Sequence, residues 1–149
     1  MFYNHKPSAR RGFLWDEVSP LYPFGFGLSY TAFEIKNPRL ASKKIRANGT
    51  TRLLVDVKNT GKVAGTETVQ MYIRDLVSSV TRPMKELKGF KKIFLKPGET
   101  KTVAMEITPD SLAFHGINKK FGVEAGDFEI LVGNSSRSAD LQKVILTVK

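Results

Sequence analysis

The sequence predicts an all-β sandwich. Short runs in which apolar and polar residues alternate at period two recur along the chain, the mark of strands with one buried face. Turn signals built from Gly, Pro, Asn and Asp separate those runs at strand-length intervals. No stretch carries the apolar recurrence of an extended helix. A length of 149 residues, with 41% hydrophobic and 26% charged side chains, is ordinary for one soluble globular domain.

Taken in order, residues 1–20 include Pro7, Gly12, Pro20 and the lone Trp15 without a sustained period, and read as an arm. The stretch from Leu21 to Thr31 sets Tyr22, Phe24, Phe26 and Tyr30 around Pro23, Gly25 and Gly27. Pro23 fixes its own φ and pushes Tyr22 towards an extended conformation, while the glycines reach backbone angles that Phe24 and Phe26 do not. It is a shaped aromatic connector: either a plug under the following domain, or a docking seam towards a second domain.

Phe33 to Leu40 is a first strand, which Pro38 demotes to an edge position. Asn48-Gly49 marks a turn. Leu53, Val55 and Val57 alternate with polar neighbours, Asn59 to Lys62 turns the chain, and Val69, Met71 and Ile73 alternate again. This pair of strands, joined by the turn, is the clearest in the sequence. Leu87, Phe90, Ile93 and Leu95 follow, with a bulge or bend expected at Gly89. Lys96-Pro97-Gly98-Glu99 is a type II turn signature, and Val103, Met105 and Ile107 alternate after it, so a hairpin is expected from Ile93 to Ile107. Pro109 to Leu112 suits a single helical turn. Phe121 and Val123 form a short strand, Ala125-Gly126-Asp127 turns, and Phe128, Ile130 and Val132, then Val144, Leu146 and Val148, supply the last strands. Seven to nine short strands of this kind indicate a β-sandwich of the immunoglobulin or fibronectin type III type, without the Cys pair of antibody domains.

The chain has no cysteine, which excludes thiol chemistry and zinc fingers, and it is long enough to bury a core without disulfides or metals. No apolar run approaches membrane-spanning length. Lys6, Arg10 and Arg11 are followed by no apolar stretch, so no signal peptide is expected in this chain. The net charge of +10 raises nucleic acid as a partner, but its lysines and arginines are spread along the chain. The densest stretches, Lys36 to Arg52 and Lys85 to Lys96, read as solvated strand faces and protected edges, ahead of an acidic protein partner. Neither nucleic acid nor a membrane is expected.

Catalytic constellations are missing. Glycoside hydrolysis typically needs two carboxyl groups across a cleft, whereas Asp56, Glu67, Glu106 and Glu129 fall at outward strand positions or beside turns and read as a solvated face. His5 and His115 have no second ligand at metal spacing. Ser29 lacks the glycines of a nucleophile elbow, and Gly25-Phe26-Gly27 is a lone pair of glycines with no strand before it. No cofactor is expected. Asn48-Gly49-Thr50 and Asn134-Ser135-Ser136 fit the glycosylation sequon. Tyr72, on the outward face of its strand, and Trp15 are candidate glycan contacts.

The stretch Leu21-Tyr22-Pro23-Phe24-Gly25-Phe26-Gly27-Leu28-Ser29-Tyr30-Thr31 resembles the segment leading into the C-terminal fibronectin type III-like domain of glycoside hydrolase family 3 enzymes. These are β-glucosidases and β-xylosidases, particularly those similar to bacterial periplasmic β-glucosidase. Val57 to Gly61, Val69 to Tyr72, and Arg82 to Phe90 running on to Leu95 to Thr100 agree in order and spacing, as do Gly126-Asp127-Phe128 and Val132-Gly133.

The resemblance implies a fibronectin type III-like domain over 32–149, a junction over 21–31, and residues 1–20 as the remnant of a preceding α/β sandwich domain. In that family the nucleophilic Asp belongs to an N-terminal barrel and the acid/base residue usually to the α/β sandwich. Both lie upstream, and no residue here matches either motif. The resemblance therefore implies a non-catalytic accessory domain of a larger, periplasmic or secreted hydrolase. It would brace the catalytic domains through Tyr22, Phe24, Phe26, Leu28 and Tyr30. The alternatives are a carbohydrate-binding module and a protein-interaction sandwich. Ser78, Ser79 and Arg82 lie in the loop that would reach an active-site rim, if it is more than a strand connection. Without its partner domain, the exposed junction offers a route to self-association. The purified chain is expected to leave an aryl β-glucoside unhydrolysed; turnover that co-purifies with the folded chain through successive columns would contradict this.

Overall fold

A computed structural model describes residues 20–149. Its strands are β1 (Phe33–Leu40), β2 (Lys44–Ile45), β3 (Thr51–Asn59), β4 (Gly65–Asp75), β5 (Glu86–Leu95), β6 (Thr100–Ile107), β7 (Phe114–His115), β8 (Phe121–Gly122), β9 (Gly126–Gly133) and β10 (Leu141–Val148). A single helical turn, α1 (Pro109–Leu112), follows β6, and a short 3-10 turn spans Ser138–Asp140. The fold is the expected sandwich with ten strands in place of seven to nine, three of them only two residues long.

One sheet has the order β1-β3-β6 and the other β2-β10-β9-β4-β5, with β7 and β8 as a separate small pair. The alternating residues meet between the two large sheets. Leu53, Val55 and Val57 of β3 and Val103, Met105 and Ile107 of β6 face Val69, Met71 and Ile73 of β4 and Phe128, Ile130 and Val132 of β9. Each such buried aliphatic side chain contributes about 1.5–3 kcal/mol relative to exposure. Pro38 sits, as its missing N–H requires, on the outer strand of its sheet. The β1–β3 register shifts between Lys36 and Arg39, and Asn37 takes a φ of 55° there. The bulge expected near Gly89 is present: Met71 pairs with Gly89 and Tyr72 with Leu87, leaving Lys88 as the extra residue.

Two readings change. The strands around the Asn59 to Lys62 turn do not pair with each other, because β3 belongs to one sheet and β4 to the other. The hairpin from Ile93 to Ile107 is likewise absent, since β5 pairs with β4 and β6 with β3. The turn itself is as expected, with the Glu99 N–H donating to the Lys96 carbonyl at 3.0 Å and Gly98 at a φ of 75°. Type II turns splay the strands that flank them, whereas tight hairpins favour the I′ and II′ types. Here the splay carries the chain from one wall of the sandwich to the other.

The acids are also less solvated than expected. Asp56 is half-buried and accepts hydrogen bonds from Thr102 Oγ1 (2.8 Å), Asn37 Nδ2 (3.2 Å) and Arg39 (3.1 Å). These donors, Thr102 first, hold its carboxyl below the usual carboxylate value. Glu129 is buried between Arg74 at 3.3 Å and Lys143 at 3.2 Å. Glu67 is half-buried, and only Glu106 of the four is exposed.

The two turns after β3 and after β5 are both tied to Asn59, which is fully buried. Its Nδ2 donates to the carbonyls of Val63 (2.8 Å) and Leu95 (3.1 Å), and its Oδ1 accepts from Thr31 Oγ1 (2.7 Å) and the Gly61 N–H (3.0 Å). Its backbone N–H donates to the Glu99 carbonyl and its own carbonyl accepts from the Gly98 N–H, each at 3.0 Å. Replacing Asn59 by Ala strands several buried polar groups and is expected to lower stability by about 3 kcal/mol in urea unfolding; a loss near zero would show that water replaces the amide.

Candidate functional site

The segment after Pro20 lies along the sandwich with its backbone bound and its side chains turned out. Pro23 is buried and opens a turn, its carbonyl accepting the Phe26 N–H at 3.0 Å. Gly25 holds a φ of 77° in that turn, a left-handed value that penalises any residue with a Cβ. A Cβ at Gly25 would also stand 2.0 Å from Gln70 Oε1, so the glycine admits the Gln70 side chain against the backbone.

Gln70 makes the first anchor. Its Nε2 donates to the carbonyls of Gly25 (2.9 Å) and Asn134 (2.8 Å), and its Oε1 accepts from the Tyr72 hydroxyl at 2.5 Å. The Ser136 N–H adds a bond to the Phe24 carbonyl at 2.8 Å. The second anchor is Thr31, whose hydroxyl reaches Asn59; a Cβ at Gly61 would stand 2.2 Å from that oxygen.

Along this segment the apolar side chains are exposed to different degrees: Phe24 is 42% exposed, Phe26 40%, Leu28 91% and Tyr30 100%, with Tyr22 also exposed and its ring 5.5 Å from that of Phe26. All five residues expected at a junction are thus gathered on one exposed seam. Phe90, paired with Gln70 across β4 and β5, and Leu87 extend it. Sequence reasoning placed both of these in a strand but not at the site. Between seam and sheet runs a groove of about 380 Å³, lined by Phe24, Phe26, Leu87, Phe90, Glu67 and Asn134 among others.

The candidate glycan contacts fare differently. Tyr72 does point away from the core, but it is 2% exposed and offers no ring to a sugar. Burial pushes its hydroxyl up to about 12, so it remains a neutral donor to Gln70. Trp15 and His5 lie outside the described residues.

The Ser78 to Met84 loop turns inward at Arg82. That side chain is 9% exposed, pairs with Asp75 at 3.3 Å and with Glu86, and lies 4.4 Å over the Phe114 ring. Burial pushes the Asp75 carboxyl up, against the opposing pull of Arg82. Arg82 thus pins the loop and does not project from it. Ser78 Oγ donates to the Val80 carbonyl at 2.7 Å, and Ser79 donates through its N–H and hydroxyl to Glu124. Among the described residues no group of three or more His, Cys, Asp or Glu is placed to hold a metal ion. His115 packs against Phe121 with ring centroids 5.0 Å apart.

Residues 67–136 match the family described as the fibronectin type III-like domain. The chain is 52% identical over 142 residues to a β-xylosidase of Formosa agariphila, covering 95% of this chain and 20% of that one. It is 43% identical over 136 residues to the periplasmic β-glucosidase of Salmonella typhimurium, covering 90% of this chain and 18% of the relative. A solved β-glucosidase structure from Erythrobacter marinus superposes with a TM-score of 0.93 at 39% identity, over 100% of this chain and 20% of its own. The chain therefore spans about a fifth of the length of the relatives it matches.

The anchoring of the seam is open to a paired test. Gly25→Ala is expected to cost about 1–2 kcal/mol in left-handed strain and to speed amide exchange at Ser136. Gly27→Ala, with nothing within 4 Å of its Cβ, should leave exchange unchanged. Equal exchange in both variants would mean that the Gln70 anchor is dispensable.

Proposed function

This chain belongs to the fibronectin type III-like domains of family 3 glycoside hydrolases, and on that premise we propose that it is a non-catalytic accessory domain that braces the catalytic domains of a β-glucosidase- or β-xylosidase-like enzyme. The observation that carries the proposal is the seam from Tyr22 to Tyr30. A contiguous apolar patch on a pinned backbone is a docking surface in waiting, since ordering it on contact costs little entropy. The share of the relatives' length that this chain spans leaves room for a large partner in the same polypeptide.

The acids support the non-catalytic reading. Asp56, Asp75, Glu86 and Glu129 are each engaged by cationic side chains, and among the described residues Glu67 is the only carboxylate lining the groove. A glycosidase pair would require two carboxyl groups facing one cleft. The proposed setting is periplasmic or secreted, supported by the periplasmic β-glucosidase among the relatives.

Joining the upstream domains should raise the unfolding temperature of residues 21–149 above that of the chain alone. Phe24→Ala and Phe26→Ala should each remove about 1–2 kcal/mol of that gain, measured against the same variant of the isolated chain. A gain that survives in the double variant would move the interface away from the seam.

A further inference from the structure

Glu67 differs from four other acids that are buried or half-buried on the strands, Asp56, Asp75, Glu86 and Glu129. Asp56 meets Arg39 at 3.1 Å, Asp75 meets Arg82 at 3.3 Å, Glu86 meets Arg82, and Glu129 meets both Arg74 and Lys143. Glu67 has no ion pair among the described residues, in a chain of net charge +10. Its Oε1 accepts only the Thr68 N–H, at 2.7 Å, and the Asn134 side chain supplies its other hydrogen bond. Burial raises its pKa above the usual value, the signature of a carboxylate short of compensation.

The surroundings of Glu67 say what would compensate it. Among the described residues it is the only titratable group lining the groove, whose walls include Phe24, Phe26 and Phe90. Aromatic faces attract cations, and an ammonium or guanidinium with a long aliphatic stem can lie along them while its head reaches a carboxylate. We propose that the groove receives one cationic side chain, a lysine or arginine, from the domain that docks on the seam, with Glu67 as its counter-ion and the phenylalanine rings as its walls. The proposal rests on the accessory-domain reading and specifies its partner: an apolar surface carrying a single protruding cation opposite Glu67.

The two states give Glu67 opposite energetic signs. Alone, an unpaired half-buried carboxylate is a net cost, so Glu67→Gln in the 149-residue chain should leave urea stability unchanged or raise it. In the full-length polypeptide that carries this domain, the same substitution should weaken docking about tenfold, read from amide exchange across residues 21–31. It should also remove the salt sensitivity of docking, which Glu67→Asp, keeping the charge, should retain. Docking that is unchanged by Glu67→Gln, at low and high salt alike, overturns the cation proposal and leaves the accessory reading standing. A wild-type polypeptide with no protection of 21–31 beyond that of the chain alone overturns the accessory reading, and this proposal with it. A loss of stability in the 149-residue chain as large as in the full polypeptide also overturns the proposal, because the counter-ion would then come from within the chain.

Discussion

The buried amide of Asn59 is the constraint on which the rest of the sandwich depends. Its side chain and backbone together bond Thr31 at the end of the seam, the turn at Gly61 and Val63, the end of β5 at Leu95, and the turn at Gly98 and Glu99. The chain changes sheet at both turns. Such crossings cannot use ladder hydrogen bonds, since the strands on either side face each other across the core and do not lie edge to edge. A single carboxamide, with two donors and two acceptor sites, satisfies the backbone groups that the crossings release. Its complete satisfaction is what makes a buried polar residue tolerable at this point.

The same amide links fold to site. Thr31 is held by Asn59 at one end of the seam, and Gly25 is held by Gln70 and Tyr72 near the other. Both anchors act on the backbone or on a short hydroxyl side chain, and Leu28 and Tyr30 between them stay exposed. Hydrophobic surface of this kind normally collapses onto its own domain. Here the turn at Pro23, with Gly25 in a left-handed conformation, directs Phe24 and Phe26 outward while the chain beneath stays fixed. A docking surface that is rigid before contact loses little conformational entropy on binding.

Much of this was legible in residues. The alternation in β3, β4, β6, β9 and β10 marks the core positions that the structure buries, and the edge role of Pro38, the bulge beside Gly89 and the helical turn at Pro109 all follow from local chemistry. Pairing was less legible. Inward alternation reads the same whether two consecutive strands share a sheet or face each other across a core, which is why β5 and β6 look like a hairpin. The Pro97-Gly98 turn did carry a clue, since its type II geometry separates the strands it joins. Tyr72 shows a second blind spot: period two gives the direction of a side chain, but not that it is buried on that side.

The sequence by itself determined the sandwich class, the identity of the buried face on each strand, the turn chemistry and the aromatic character of the seam, because each depends on interactions within a few residues. Only the tertiary structure decided which strands share a sheet, that Arg82 folds inward onto Asp75 and Glu86, and that Tyr72 is covered while Leu28 and Tyr30 are not. It also decided that Glu67 stands in the groove without an ion pair while Asp56, Asp75, Glu86 and Glu129 have theirs. The seam shows the division most plainly. Its glycines and proline specify a shape, but the surface it presents is set by Gln70 and Asn59, whose hydrogen bonds form only when distant parts of the chain are brought together.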